Sequence, residues 1–350
     1  MERLSDSALN LFEAEYDSLA AMVSKRIQLE WRYHPGRNLD KAGFQLLDYA
    51  LQFGQMLQVL YRYDLIEALN EEARWYAAMF SAHGWGRDAF TLLLDSWIVG
   101  IQGLIKPPEC NELAGPLKTL KREAPGLFDA ARDKRAASRK VSEPLLVEYL
   151  LQGDIQNSRR LLCSMHEFSK SPDQLIVKVL LPTMSDIGDR WERHQIEIFQ
   201  EHFATEALRS LLASLPALLS FTPKPTERTA LVSCAPGDTH ALISLALSSY
   251  LEIRGWRVKN LGGSLPAEQI IRAVETSKPD TLFLSFTMVS RLTGVLDVIE
   301  RMRLKFSDCT LIVGGRGTLY ARSLLESKGV LVANDFEHGY RLATRKQDHA

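Results

Sequence analysis

The sequence predicts a multidomain α and α/β protein in which two helical domains precede a doubly wound parallel sheet. In the first third, and again over residues 141–219, apolar side chains recur at helical spacing without the alternation typical of strands. After residue 223, short β-rich runs alternate with helical stretches. We therefore predict an all-helical domain, a basic linker, a four-helix bundle and an α/β domain, over residues 1–120, 121–140, 141–222 and 223–350.

The N-terminal domain is predicted to be sensory or partner-binding. Its helices are separated by His34-Pro35-Gly36, Gly84-Trp85-Gly86 and Lys106-Pro107-Pro108. Its length and helix content are compatible with a globin-like domain that holds a second chromophore, a haem or a bilin. The candidate ligands would be His34, His83 and Cys110, each of which is equally explained as an ordinary loop residue.

The segment from residue 121 to 140 is predicted as a linker or a largely solvated helix, because it is basic and has few apolar residues. Phe128 is the one aromatic residue among its charges, which is too few for a nucleic-acid stacking surface. The formal net charge of the chain is −1. Direct DNA binding is therefore not supported.

Composition indicates an ordinary soluble, cytoplasmic protein. The four cysteines are scattered and form no CxxC pair, the N-terminus does not read as a signal peptide, and no apolar run is long enough to cross a membrane. Reduced thiols are expected.

Five β-rich runs predict the sheet. They cover Thr229–Ser233, Arg257–Leu261, Thr281–Ser285, Thr310–Val313 and Val330–Ala333. A flavodoxin-like strand order, 2-1-3-4-5, would bring the loops after the first, third and fourth strands together at the carboxyl edge. Ligands of doubly wound sheets bind at that place.

Those three loops carry a candidate ligand site: Asp238-Thr239-His240, then Ser285 and Thr287, then Gly314-Gly315. A histidine oriented by a carboxylate presents a neutral imidazole to a metal, and small residues leave room for a long group beside the backbone. Taken singly, each motif has a plain explanation. D-x-H is common at a helix N-cap followed by a surface histidine, and Gly-Gly is common in turns.

Together these residues resemble the cobalamin-binding domain of corrinoid proteins such as methionine synthase. The resemblance implies that His240 binds cobalt from the lower face, that Asp238 orients it, and that Ser285, Thr287, Gly314 and Gly315 line the channel for the nucleotide tail. One residue departs from the D/E-x-H-x-x-G pattern of the family. Ile243 stands where glycine is expected, so the tail must pass differently or the helix must shift.

A second motif lies in the predicted bundle, where Trp191 precedes Glu201-His202 with the spacing W-x9-E-H. It resembles the light-sensing cobalamin repressors of the CarH type, in which the tryptophan and glutamate cover the upper face of adenosylcobalamin. The alternative is a tryptophan that fills a core beside a solvated Glu-His pair. The position after the tryptophan, a histidine in the best-known light sensor, is Glu192 here, and the nearest imidazole is His194.

The resemblance implies a cytoplasmic photosensory regulator, in preference to an enzyme, that binds adenosylcobalamin rather than methylcobalamin and acts through a protein partner or homo-oligomer. No MerR-type DNA-binding domain like that of those repressors is expected in the helical N-terminal segment. One alternative is a corrinoid carrier module of a methyltransferase system. Another is a binding module in which the N-terminal domain senses a separate ligand.

Overall fold

The computed structural model describes residues 3–33, 43–134, 142–168 and 171–345. The chain divides into two compact units. Unit 1 comprises Met1–Arg139 and Glu192–Gln195, and unit 2 comprises Lys140–Trp191 and Ile196–Ala350. The predicted break at His34-Pro35-Gly36 lies outside the described residues.

Unit 1 is helical throughout its described residues, as predicted. Its helices are α1 (Asp6–Ala14), α2 (Tyr16–Tyr33), α3 (Gly43–Arg62), α4 (Ala68–Ala82), α5 (Gly86–Leu104) and α6 (Glu109–Lys134). Trp97, fully buried, donates from its indole N–H to Ala50 O at 3.0 Å, so its one polar atom is satisfied inside an aromatic core. Residues 121–134 of the predicted linker or solvated helix continue α6, and 135–141 lie outside the described residues.

The bundle of unit 2 consists of four helices. They are α7 (Pro144–Leu151), α8 (Ile155–Phe168), a long third helix made of α9 (Pro172–Leu175), a π-helical turn (Ile176–Leu180) and α10 (Leu181–Glu192), and finally α11 (Ile198–Leu218). Glu197 and Gln200 start α11 with a capping box, in which each side chain bonds the backbone of the other residue.

The π-helical turn has a cause in the sequence. Pro182 has no N–H to donate, and its ring would collide with the carbonyl of Lys178 four residues earlier. The turn before it is widened, so that the Leu181 N–H bonds to Ile176 O, five residues back. Because the widened turn rotates the residues around the helix axis, Pro182 affects which side chains of the third helix face the rest of unit 2.

The α/β domain has the predicted topology. Five parallel strands in the order β2-β1-β3-β4-β5 confirm the flavodoxin-like arrangement. The strands are β1 (Thr229–Cys234), β2 (Arg257–Gly262), β3 (Thr281–Ser285), β4 (Thr310–Gly314) and β5 (Leu331–Ala333). The helices are α12 (Ala241–Ile253), α13 (Ala267–Ser277), α14 (Leu292–Lys305), α15 (Thr318–Ser327) and α16 (Phe336–Arg345).

One hydrophobic core joins the bundle to the sheet within unit 2. Leu211 and Leu212 of α11 belong to the same buried cluster as Tyr250 of α12 and Phe283 of β3. The hydroxyl of Ser249 on α12 also donates to Leu212 O at 3.2 Å. The bundle is thus packed against α12, the helix that begins directly after His240.

A charged cluster adds a second connection between bundle and sheet domain. Arg254, just past α12, donates to Asp173 Oδ2 of α9 at 3.0 and 2.7 Å and to Glu337 Oε2 of α16 at 2.7 Å. Its guanidinium lies 4.5 Å from the ring centroid of Tyr250 and 4.4 Å from that of Tyr340. The cation is therefore held by two carboxylates and two aromatic faces.

We expect this cluster to make unit 2 sensitive to acid. Burial raises the pKa of Asp173, but the hydrogen bonds from Ser171 and Arg254 and the charge of Arg254 outweigh it and hold that pKa below its usual value. The hydrogen bond from Tyr250 and the charge of Arg254 likewise lower the pKa of Glu337. Because both pKa values are lowered, their stabilisation is present at neutral pH and is lost as the pH falls through the lowered values.

Asp173→Asn should therefore lower the free energy of unfolding by about 1–3 kcal/mol near neutral pH, the value of hydrogen bonds to charged groups. The difference from the parent should begin to shrink below about pH 4, the pKa of an aspartate in the unfolded chain, and should be lost as the pH falls through the lowered pKa of Asp173. Urea unfolding at several pH values measures it. Glu227→Gln is the control, because its ion pair with Arg257 is exposed. A difference that does not change with pH would contradict the assignment.

Candidate functional site

The loop after β1 presents a histidine on a buried carboxylate. Asp238 is 1% exposed, and its Oδ1 lies 2.5 Å from Nδ1 of His240, whose side chain is 49% exposed. The same Oδ1 accepts from the His240 backbone N–H at 3.1 Å, and Oδ2 accepts from the Thr287 N–H at 3.1 Å. One carboxylate therefore fixes the imidazole and ties the β1 loop to the β3 loop.

The electrostatics of this pair favour an ionised aspartate. Burial by itself raises the pKa of Asp238. The hydrogen bond and charge of His240, together with the backbone N–H groups of His240 and Thr287, lower that pKa by more than burial raises it, so the net shift is downward. When the carboxylate accepts a hydrogen bond from Nδ1–H of a neutral imidazole, Nε2 of His240 keeps its lone pair. That nitrogen is a suitable ligand for a metal.

The ends of β3 and β4 form the second part of the site. Ser285 pairs with Gly314 in the sheet, and the Phe286 N–H donates to Gly314 O at 2.7 Å. Gly315 has a φ of +112°, and a Cβ there would lie 2.5 Å from Phe286 O. A substitution at Gly315 would therefore strain the backbone whether or not a ligand binds. A Cβ on Gly314 would meet Ala333 at 3.6 Å, an ordinary contact.

A cleft of about 280 Å³ opens beside these strand ends. It is lined by Val177 and Leu181 of the bundle, Ile243 and Leu247 of α12, Phe283, Leu284 and Ser285 of β3, Ile312, Gly314 and Gly315 at the end of β4, and Ala333, Asn334, Asp335, Phe336 and Gly339 around β5 and α16. Small-molecule sites usually enclose about 300–1,000 Å³. The cleft suits one portion of a large ligand.

Three of the predicted tail-channel residues, Ser285, Gly314 and Gly315, thus line one cleft. Thr287 is placed differently, since its described contact is the backbone hydrogen bond to Asp238. Ile243, the residue that replaces the expected glycine, lines the cleft directly. Its side chain narrows the space that a glycine would leave open.

The second motif lies on the bundle. Trp191, near the end of α10, packs partly buried against the core cluster. Glu201 lies in the first turn of α11, where its Oε1 accepts from the Thr205 hydroxyl at 2.7 Å. His202 is 70% exposed, and its Nδ1 is 4.0 Å from Glu201 Oε2. Within the described residues, no hydrogen bond or ion pair joins these three side chains to the His240 loop.

The segment after Trp191 belongs to unit 1. In that unit the ring of His194 lies 4.7 Å from the ring of His83. Burial, and then the neighbouring His194, lowers the pKa of His83. Cys110 is 3% exposed in the first turn of α6, so the interpretation of Cys110 as a loop residue is wrong. His34 lies outside the described residues.

Sequence reasoning missed two contributions. Asp173, Arg254 and Glu337 are far apart in the chain, and no spacing rule links them. The sequence analysis does not single out Val177 or Leu181, because their access to the cleft depends on packing. The proline at position 182 within a helical run was the one available signal of an altered helical turn.

The chain belongs to the B12-binding proteins. Residues 228–340 match the family model described as B12 binding domain, and residues 145–215 match a second model with the same description. Together these matches cover more than half of the chain. The residues fit the cofactor, since Asp238 holds the imidazole of His240 in one orientation, as a metal ligand requires, and a cleft opens at the carboxyl edge of the same sheet.

Within that class, the chain is similar to repressors of the CarH type. It is 30% identical over 167 residues to the HTH-type transcriptional repressor CarH of Myxococcus xanthus, a match that covers 47% of this chain and 55% of that protein. It is also 30% identical over 158 residues to the HTH-type transcriptional repressor CarA of Myxococcus xanthus, covering 45% and 52% respectively. The chain thus spans about half the length of these relatives.

A third relative is the dimethylamine corrinoid protein of Methanosarcina barkeri. It is 25% identical over 133 residues, which are 38% of this chain and 62% of that protein.

Among the described residues, no helix is long and apolar enough to cross a membrane.

Gly314 offers a test of the cleft. Gly314→Val should weaken cobalamin binding about tenfold or more, because its methyl groups would enter a space of limited volume, whereas Gly314→Ala should have a smaller effect. Affinities come from absorbance titration, and thermal unfolding shows that both variants fold. Full affinity in a folded Gly314→Val variant would mean that the ligand does not occupy the cleft.

Proposed function

We propose that the chain is a cobalamin-binding photosensory regulator. The observation that supports the proposal is that unit 2 combines His240, which lies on a buried carboxylate, with a bundle that bears Trp191 and Glu201 in the order found in the family it resembles. Adenosylcobalamin would supply a cobalt–carbon bond that breaks in light. We prefer adenosylcobalamin to methylcobalamin as the bound form, because a methyl group is too small to need the side chains of Trp191 and Glu201 to cover it.

The lower ligand is His240 in this proposal. Asp238 holds the proton on Nδ1, keeps the ring in one orientation and raises the basicity of Nε2. Ser285, Gly314 and Gly315 line the cleft for the nucleotide tail, with Thr287 holding the neighbouring loop through Asp238.

The upper face is assigned to the bundle. Trp191 would lie against the group on the upper side, with Glu201 and His202 at the start of α11 as polar contacts. Loss of that group would leave a space beside Trp191, at a cost of about 24 cal/mol per Å³ of cavity. The bundle would then repack.

The chain itself provides a route for the signal. Trp191 is bonded directly to Glu192, the first residue of the segment that belongs to unit 1. Movement of Trp191 would therefore displace Glu192–Gln195, including His194 beside His83. We propose that unit 1 converts this movement into a changed interface with a protein partner or a second copy of the chain in the cytoplasm.

A second candidate function is a corrinoid carrier in a methyltransferase system. The relationship to the dimethylamine corrinoid protein favours it. A carrier must expose the upper face to partner enzymes, whereas a sensor covers it. A haem or bilin in unit 1 is a further proposal, with His83 and Cys110 as its candidate ligands among the described residues. The proposal is tested by recording whether the purified protein has long-wavelength absorption bands.

The histidine assignment is tested by spectroscopy. His240→Ala should remove the histidine-bound spectrum of the cobalamin, and Asp238→Asn should weaken affinity about 10–100-fold because the imidazole loses its orienting carboxylate. His166→Ala, in α8 of the bundle, is the control and should leave both unchanged. An unchanged spectrum and affinity in His240→Ala would refute the lower-ligand assignment.

The light response is tested by size-exclusion chromatography with scattering on adenosylcobalamin-loaded protein, in the dark and after illumination. The parent should change its elution or mass, and Trp191→Ala should lose that change while still binding cobalamin. Trp191→Phe, which keeps an aromatic ring, should retain most of the response. Identical dark and light profiles of the parent would favour the carrier.

A further inference from the structure

The cleft beside the strand ends has a polarity gradient. Its inner wall is apolar, since Phe283, Leu284 and Ile312 are 2%, 1% and 1% exposed. Its two amide- or carboxylate-bearing residues, Asn334 and Asp335, are exposed and stand at the mouth. A group that enters the cleft therefore leaves polar surroundings and meets hydrocarbon.

One side-chain oxygen of each residue at the mouth already has a hydrogen-bond partner. Asn334 Oδ1 accepts from Arg322 Nη2 at 2.5 Å, and Asp335 Oδ1 accepts from the His338 backbone N–H at 2.6 Å. Deeper in, Ser285 is 8% exposed and supplies the one side-chain hydroxyl in the lining. The interior thus offers a single side-chain hydrogen-bonding group.

The side of the cleft that faces the helices is also apolar. Ile243 and Leu247, one helical turn apart on α12, share it with Val177 and Leu181 of the bundle. Val177 lies within the π-helical turn, and Leu181 follows that turn directly. The turn that precedes Pro182 thus supplies bundle side chains to a surface otherwise built by the α/β domain.

We propose that this cleft selects corrinoids whose lower base is a benzimidazole over those whose base is a purine. Ile243 of α12 and Val177 and Leu181 of the bundle are the specificity-determining residues. The inference rests on the proposed placement of the nucleotide tail in this cleft. It adds that the lining of the cleft discriminates between these two classes of lower base.

The chemistry of the two bases gives the reason. A benzimidazole joined to its sugar has one free ring nitrogen, which matches the one hydroxyl of Ser285, and its carbocyclic ring matches the apolar walls. An adenine has three free ring nitrogens and an amino group. In this cleft most of them would lose water without gaining a partner, which costs binding free energy.

The involvement of Val177 and Leu181 has a second consequence. A base in the cleft contacts the bundle as well as the sheet domain, so a poorly fitting base should weaken the packing of the bundle. Cobalamin should therefore raise the thermal stability of unit 2 more than the adenine corrinoid does, even when both are saturating.

The experiment compares two corrinoids with the same upper ligand, aquocobalamin and its adenine-based analogue, on the full chain. Equilibrium dialysis gives both affinities, and absorbance shows whether histidine binds cobalt. We expect the adenine corrinoid to bind about tenfold more weakly or worse, since tenfold corresponds to about 1.4 kcal/mol. Equal affinities would overturn the inference. Failure of both corrinoids to bind would instead overturn the proposed cobalamin site.

Two variants identify the residues responsible. Ile243→Ala opens the cleft to water, and Leu181→Asn adds a donor and an acceptor from the bundle side, so both should reduce the preference severalfold. Leu242→Ala is the matched control, because Leu242 adjoins Ile243 on α12 but does not line the cleft. Thermal unfolding confirms folding. If the preference of folded Ile243→Ala and Leu181→Asn equals that of the parent, these residues do not set it.

Discussion

The buried carboxylate of Asp238 is the constraint on which the candidate site depends. It accepts hydrogen bonds from the imidazole and backbone of His240 and from the backbone of Thr287, and so joins the loops after β1 and β3. The Asp238 carbonyl also accepts from the Ser264 N–H at 2.8 Å, which brings in the segment after β2. An ionised group at such depth is stable only with several donors, so the loops and the carboxylate hold each other in place.

The bundle packs against α12 through contacts at several positions along that helix. Arg254 binds Asp173 and Glu337 just past the end of the helix, whereas His240 caps its start. Between them, Ile243 and Leu247 line the cleft together with bundle side chains. A change at Trp191 or in the cleft would therefore act on a bundle that is anchored at Asp173, which favours a tilt of the helices over complete separation.

The sensor and carrier proposals place different demands on the same geometry. Both need an oriented His240 and a cleft for the tail. They differ in what the end of α10 and the start of α11 must do, since a sensor would use Trp191 and Glu201 to cover a ligand, whereas a carrier would have to uncover it.

The sequence by itself determined the fold class and the position of the candidate site in the chain. Short β-rich runs located the described strands to within a residue, and the flavodoxin-like strand order was expected because it brings the three candidate loops together at the carboxyl edge. Asp238 and His240 were identifiable because they are two residues apart, and local spacing fixes their geometry.

Only the tertiary structure decided which distant residues share a surface. Arg254, Asp173 and Glu337 meet because three helices pack together, and Val177 reaches the cleft because the turn before Pro182 is widened. It also distinguished two neighbouring glycines. A Cβ added at Gly314 would make an ordinary contact with Ala333, whereas the positive φ of Gly315 and its closeness to Phe286 O require glycine there. Such distinctions depend on long-range packing and backbone torsion, and a linear pattern of residue types contains neither.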